Sequence, residues 1–201
     1  HLMTFLEIDA LKIVVFLSRS MRDTVHSYFA ILLQKSTFHI STMEMIKRGD
    51  QLFHRDFPNL DKAMVMLEIL STLPGYDSSK KVKVKLGRGI HEVVGSCDVP
   101  GFGTQQKTIS VSCDNLSFVG QGQGKTTVQG SFVVLNGRKA HVADLTVKNP
   151  TIGFVLVAYG MGTEMDLQNV TSADSQYHGV VVWNSAKLVA AGCHFHQNGY
   201  H

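Results

Sequence analysis

From Lys81 onward, apolar and polar residues alternate in short runs broken by Gly, Asn and Ser. Val82, Val84 and Leu86 make the first run, Gly87-Arg88-Gly89 turns it, and Ile90, Val93 and Val94 carry on. A period of two places alternate side chains on opposite faces, so each run reads as a strand with one buried face. A Gly- and Pro-containing loop is expected over residues 96–107, followed by strands at 108–112 and 116–119. Later runs open at Val133, Val155 and Val180 and close at Val147, Val170 and Phe195. Recurrence of this kind, at a spacing of about two dozen positions, signals stacked layers of one supersecondary unit. The inward column is expected to hold Val134, Leu145, Val155, Val157, Val170, Val180, Val182 and Phe195. Asn149, Asn169 and Asn198 fall near the turns, where Asn tolerates the left-handed conformation and can stack into ladders. A doubly wound α/β fold is excluded by the unbroken succession of strands, and a flat sandwich would not explain the recurrence.

Upstream the period changes. Leu6, Leu11, Val14, Val15 and Leu17 fit one helix, and Met21, Val25, Tyr28, Phe29, Leu32 and Leu33 a second. A short third helix is expected over 41–47, closed by Gly49. The fourth has an Asn59 cap, Asp61 at its positive end, and an apolar face of Leu60, Ala63, Met64, Leu67 and Leu70. Pro74-Gly75 ends it. Half of the methionines, Met43, Met45, Met64 and Met66, fall between positions 43 and 66; at helical spacing they read as core before they read as a partner-binding groove.

Three segments carry a family resemblance: Asn59-Leu60-Asp61-Lys62-Ala63, then residues 82–91 ending Gly89-Ile90-His91, then Asn115-Leu116-Ser117-Phe118-Val119-Gly120-Gln121-Gly122. Together they resemble the opening of right-handed parallel β-helix proteins of the pectin-lyase-like superfamily. Ala143-Asp144-Leu145-Thr146-Val147-Lys148-Asn149, Leu167-Gln168-Asn169-Val170-Thr171 and Cys193-His194-Phe195-His196-Gln197-Asn198-Gly199 are similar to that family's internal repeats. The resemblance implies a mainly β chain: a right-handed parallel β-helix over 57–201 with a capping helix at 59–70, behind a helical region at 1–56. It implies little about function, because the superfamily holds lyases, hydrolases, esterases, epimerases and non-catalytic binders. Residues 6–18 resemble a degenerate F-box opening, with 21–29 as its second helix, although the leading Leu-Pro and the Trp-containing third helix are absent. F-box proteins with β-helix repeats exist, and this resemblance would imply a Skp1-type partner and a solenoid that selects substrates. The chain begins on His1 and stops inside a layer at His201, which suggests a piece of a longer protein.

Composition narrows the function classes. The 201 residues are 44% hydrophobic and 17% charged with net charge +3, a globular balance too mild to imply nucleic acid. Lys80, Lys81, Lys83, Lys85 and Arg88 are the one basic cluster. Their alternation with Val82, Val84 and Leu86 favours a strand with a wet face over a phosphate-binding stripe. Three cysteines without framework spacing suit a reducing, intracellular compartment, with a bridge between Cys97 and Cys113 as the alternative. No run of 18 or more apolar residues exists, so no membrane span or membrane partner is expected.

The chemistry-bearing residues are sparse. Gly120-Gln121-Gly122-Gln123-Gly124-Lys125-Thr126-Thr127 has the texture of a phosphate loop, but three residues separate Gly120 from the Gly-Lys pair where four are needed, and no helix follows. His194 and His196 flank Phe195 on one strand face and form a weak candidate metal pair, solvated histidines being the simpler reading. Carbohydrate-cleaving enzymes on such a scaffold need clustered acids, or calcium beside a basic partner. Asp144, Asp166 and Lys187 are the candidates here, with Asp144 and Asp166 spaced to stack on neighbouring layers. Calcium would be the cofactor only in a lyase; otherwise none is expected. Tyr159, Tyr177 and Trp183 could face outward as a sugar-stacking platform, although Trp183 could equally fill a corner. The preferred expectation is a non-catalytic module recognising a carbohydrate or a protein; the alternative is an enzyme acting on acidic polysaccharide.

Overall fold

A computed structural model describes residues 34, 37–40, 57, 59–73, 76–149, 151 and 153–199. The expected helices at 6–17, 21–33 and 41–47, and with them the F-box-like segment, lie outside the described residues. In chain order the elements are β1 (Thr37–Ile40), α1 (Leu60–Ser71), β2 (Val82–Leu86), β3 (Gly89–Glu92), β4 (Ser96–Val99), β5 (Gly103–Gln106), β6 (Thr108–Val111), β7 (Leu116–Val119) and β8 (Thr126–Gln129). There follow β9 (Ser131–Leu135), β10 (Lys139–Lys148), β11 (Leu156–Tyr159), β12 (Glu164–Ala173), β13 (Val180–Trp183), β14 (Lys187–Ala191) and β15 (His194–His196). The described chain is mainly β, and every pairing but one is parallel.

Two large sheets result. One runs β1-β2-β7-β10-β12-β14 and curls, so that the second halves of β10 and β12 pair with β8 and β15. The other runs β6-β9-β11-β13. Successive passes of the chain therefore lie side by side. Leu116, Ala140, Met165 and Leu188 stand in register, one from each pass. Phe132, Leu156 and Val180 do the same on the other sheet. The curl occurs where Asp144, Asn169 and Gly192 adopt φ of 54°, 51° and 63°. Left-handed residues bend a strand sharply, and Asp, Asn and Gly are the types that adopt this conformation at least cost.

The core fills the space between the sheets. Val84, Phe118, Val142 and Leu167 are fully buried on neighbouring strands, and the Phe118 and Phe132 rings meet across the interior at 4.9 Å. α1 covers one side of it. Asn59 accepts from the Lys62 amide at 2.9 Å as the N-cap, and Leu60, Ala63, Met64, Leu67 and Leu70 are buried as their spacing requires. Asp61 ties the helix to the sheet by accepting from the Gly95 and Val94 amides at 3.0 and 3.3 Å.

Several expectations change. Residues 37–40, placed in the helical region, form a strand parallel to β2 that buries Phe38 and Ile40; Thr37-Phe38-His39-Ile40 is itself a period-two run. The 96–107 loop is an antiparallel hairpin, β4–β5, turned by Pro100-Gly101, with the Phe102 amide bonded to the Val99 carbonyl at 2.9 Å and Gly101 at φ 81°. That hairpin lies on the outer face of the second sheet. Val157, expected in the inward column, is consequently buried on the outer side with Val99, Val133 and Phe154. Val182 and Phe195 occupy inward register positions yet are 43% and 45% exposed, because β13 and β15 are edge strands among the described residues. Val155 and Val170 miss the true register partners, Val157 of Val133 and Ser172 of Val147, by two positions each, and Val180 misses Val181 by one. A two-residue slip keeps the parity of a strand, which is why the periodicity could not detect it.

Candidate functional site

Two outer faces gather the residues with chemistry. On the second sheet, Leu135, Tyr159 and Trp183 share one register row and point away from the core. The hairpin brings Phe102 to this row. Its ring meets Trp183 edge-on at 5.1 Å and Phe154 edge-on at 4.8 Å. Phe154 in turn lies 5.9 Å from His178, stacked with ring planes nearly parallel at 7°, and 6.0 Å from Tyr177. Trp183 is 59% exposed and Tyr177 40% exposed, whereas Phe154 is buried beneath them. The result is an aromatic surface with a packed floor, in which Trp183 stands on β13 and the other rings of the cluster, on turns and loops, pack on one another. Tyr159, Tyr177 and Trp183 thus share one face of the molecule. Phe102 and Phe154 joined them unforeseen, since only the hairpin fold brings position 102 across to Trp183.

On the first sheet the outer face is charged. Lys139 and Glu164 pair at 3.3 Å, and Lys187 stands opposite Glu164 on the next strand. Asp166 bonds to His141 Nδ1 at 3.0 Å. Asp144 does not stack on Asp166. The chain takes longer to return from β10 to β12 than the expected stacking needs, so Asp144 stands opposite Asn169 and accepts from its Nδ2 at 3.0 Å. Asp166 and Lys187 are diagonal neighbours on one face, and Asp144 belongs to the corner. His141 was missed as a partner because its alignment with Asp166 depends on the length of the intervening turn.

The remaining candidates are dispersed. His194 and His196 stand exposed opposite Thr171 and Ala173; among the described residues no three His, Cys, Asp or Glu side chains converge to hold a metal ion. Asn149, Asn169 and Asn198 form no common ladder. Asn149 is buried and donates to Ser131 Oγ at 2.6 Å, Asn198 accepts from the Ser175 amide at 3.2 Å, and Asn169 occupies the other corner.

The glycine-rich loop at 120–125 is closed to phosphate. The amides of Gly120 and Gly122 donate to the Ala143 and Asp144 carbonyls, those of Gln121 and Gly124 to Thr126 and Thr146 hydroxyls, and those of Lys125 and Thr126 to the Gly122 carbonyl. A phosphate cradle needs such amides turned outward. Cys97, Cys113 and Cys193 are free thiols. Cys113 is buried against α1, where its Sγ donates to the Leu67 carbonyl, while Cys97 rides on the hairpin.

Tyr76 and His91 have displaced proton affinities. Burial beside Cys113 pushes the Tyr76 phenol up to about 12. Burial lowers the His91 imidazole against the smaller opposing effect of its 2.9 Å bond to the Gly87 carbonyl. His91 begins the inward row continued by Val128, Val147, Ser172 and Phe195. Among the described residues no helix is long and apolar enough to cross a membrane. No family model matches the chain, and no curated protein or solved structure matches it either.

Proposed function

We propose that the curled parallel sheets are the wall of a right-handed parallel β-helix, and that the protein is a binding module whose aromatic face takes a carbohydrate. The parallel pairing and the regular return of the chain, from Leu116 to Ala140, Met165 and Leu188, support the first part. The observation that carries the second is the exposure of Trp183 and Tyr177 over a floor of Phe102 and Phe154. Water hydrates large exposed rings poorly, and their flat faces match the apolar faces of pyranose rings. Trp183 is carried by β13 and packed edge-on against Phe102, and a ring so held loses less freedom on binding.

Trp183 is the sole tryptophan, so its fluorescence reports directly on this face. Titration with oligosaccharides from pectin, alginate, xylan and β-glucan should give saturable quenching for one class. Trp183→Ala should weaken that binding by about 10-fold or more in calorimetry, a loss of ~1.4 kcal/mol within the range of an aromatic contact. A glycan that binds equally well to Trp183→Ala and Tyr177→Ala would sink the proposal. So would failure of every glycan, leaving a protein ligand as the occupant.

The bond between His141 and Asp166 favours a second reading, an enzyme working on the charged face. Incubation with pectin, alginate and polygalacturonate, with and without calcium, tests it. Turnover lost in Asp166→Asn would favour the enzyme, and no turnover would exclude these substrates.

A further inference from the structure

Three neighbouring strands present Ser117, His141 and Asp166 at one register position: Ser117 of β7 is opposite His141 of β10, which is opposite Asp166 of β12. Their flanking residues Phe118, Val142 and Leu167 are fully buried, so alternation turns the three outward side by side, with strands about 4.8 Å apart. His141 Nδ1 lies 3.0 Å from Asp166 Oδ2. The carboxylate accepts, so in the neutral imidazole this bond puts the proton on Nδ1 and leaves Nε2 as the acceptor. Among the described residues no hydrogen bond holds the Ser117 hydroxyl. The next residue in the same row is Lys83 of β2, exposed and opposite Ser117.

We propose that Ser117, His141 and Asp166 form an acyl-transfer centre that hydrolyses small, accessible esters, with Lys83 stabilising the oxyanion. The roles follow from nucleophile, base and orienting acid standing in that order. His141 Nε2 takes the Ser117 proton as Oγ attacks the ester carbonyl, and the Lys83 ammonium faces the oxygen that becomes negative. The carbonyl–alkoxy bond then breaks and the departing alcohol takes the proton from Nε2. Water next attacks the acyl-serine, giving its proton to Nε2. The acid leaves as Oγ recovers that proton, so the enzyme returns unchanged. Asp166 holds the ring and stabilises the imidazolium at each stage. In the free protein Ser117 is not bonded to His141; such contacts tighten when substrate fills the gap. The face is open and flat, which suits an acyl group projecting from a larger carrier. The proposal is independent of glycan binding, which uses the other sheet.

The test uses the purified chain with p-nitrophenyl acetate and a fluorophosphonate probe. Hydrolysis should be saturable and fall at least about 100-fold in Ser117→Ala and in His141→Gln, as for loss of nucleophile or base. The limb of rate rising with pH should vanish in His141→Gln. Asp166→Asn should lower kcat with KM little changed. The probe should label Ser117, by peptide mapping, in the wild type and not in His141→Gln. Activity persisting in Ser117→Ala, label on another residue, or no labelling of the wild type would each overturn the proposal. The labelling of the wild type needs no variant to fold, and circular dichroism shows whether the surface variants keep the native structure.

Discussion

Replacing Asp144 separates a corner residue from a catalytic acid. Asp144 has φ 54° and its Oδ1 accepts from Asn169 Nδ2 at 3.0 Å; Asn169 and Gly192, stacked beside it, have φ 51° and 63°. A residue with a Cβ and no local polar group needs about 1–2 kcal/mol to hold this conformation, whereas Asp and Asn hold it more easily. The side-chain bond, at a half-buried site, adds about 0.5–1.5 kcal/mol. Asp144→Ala should therefore lose about 2 kcal/mol of unfolding free energy. Asp144→Asn keeps both the conformation and an accepting oxygen and should stay within about 0.5 kcal/mol of wild type. Asp144→Gly should fall between, since it gains the conformation freely but loses the bond and is more flexible when unfolded. Urea unfolding at pH 7, followed by far-UV circular dichroism and Trp183 fluorescence, measures the three. An Asn variant as unstable as the Ala variant would show that the charge of Asp144 matters rather than the corner. An Ala variant equal to wild type would refute the conformational argument altogether.

Phe118 is fully buried against Phe132, so Phe118→Ala should cost about 3–5 kcal/mol in the same assay; a loss below about 1 kcal/mol would mean the interior is not packed as described. His91 predicts a pH dependence. Its folded affinity for a proton is lowered below the ordinary imidazole value of 6.5, so the unfolded chain binds the proton first. The contribution is fully present above 6.5 and is lost as pH falls from there to the folded value, with a slope of at most about 1.4 kcal/mol per pH unit. Thermal unfolding of wild type and His91→Gln between pH 7.5 and about 5 should show the wild-type decline in that window to be reduced in the variant; parallel curves would refute the assignment.

The aromatic face and the charged face differ in how far they could be foreseen. Trp183 was identifiable as outward because it alternates with Val180 and Val182, whereas Tyr159 shares its outer face with Val157, which was expected inward. Their floor was not, because Phe102 reaches Trp183 only through a hairpin laid over three later strands. On the charged face Asp166 and Lys187 were singled out, but their partners depend on the lengths of distant turns. One such length replaced Asp144 with His141 opposite Asp166.

By itself the sequence determined period and punctuation, and parity where polar residues alternate: which residues of Val82–Leu86 are buried, where α1 is capped by Asn59, and that the apolar runs recur layer after layer. These are short-range properties, dictated by backbone geometry and the hydrophobicity of each side chain. Only the tertiary structure decided register, because slips by two positions keep each side chain on its own face, and in the wholly apolar run from Val155 to Ala158 even a one-residue slip exchanges one apolar side chain for another. Register is decided where strands meet, by the turns at Asp144, Asn169 and Gly192 and by the fit of the core they enclose. The rows Ser117–His141–Asp166 and Tyr159–Trp183 are consequences of that fit.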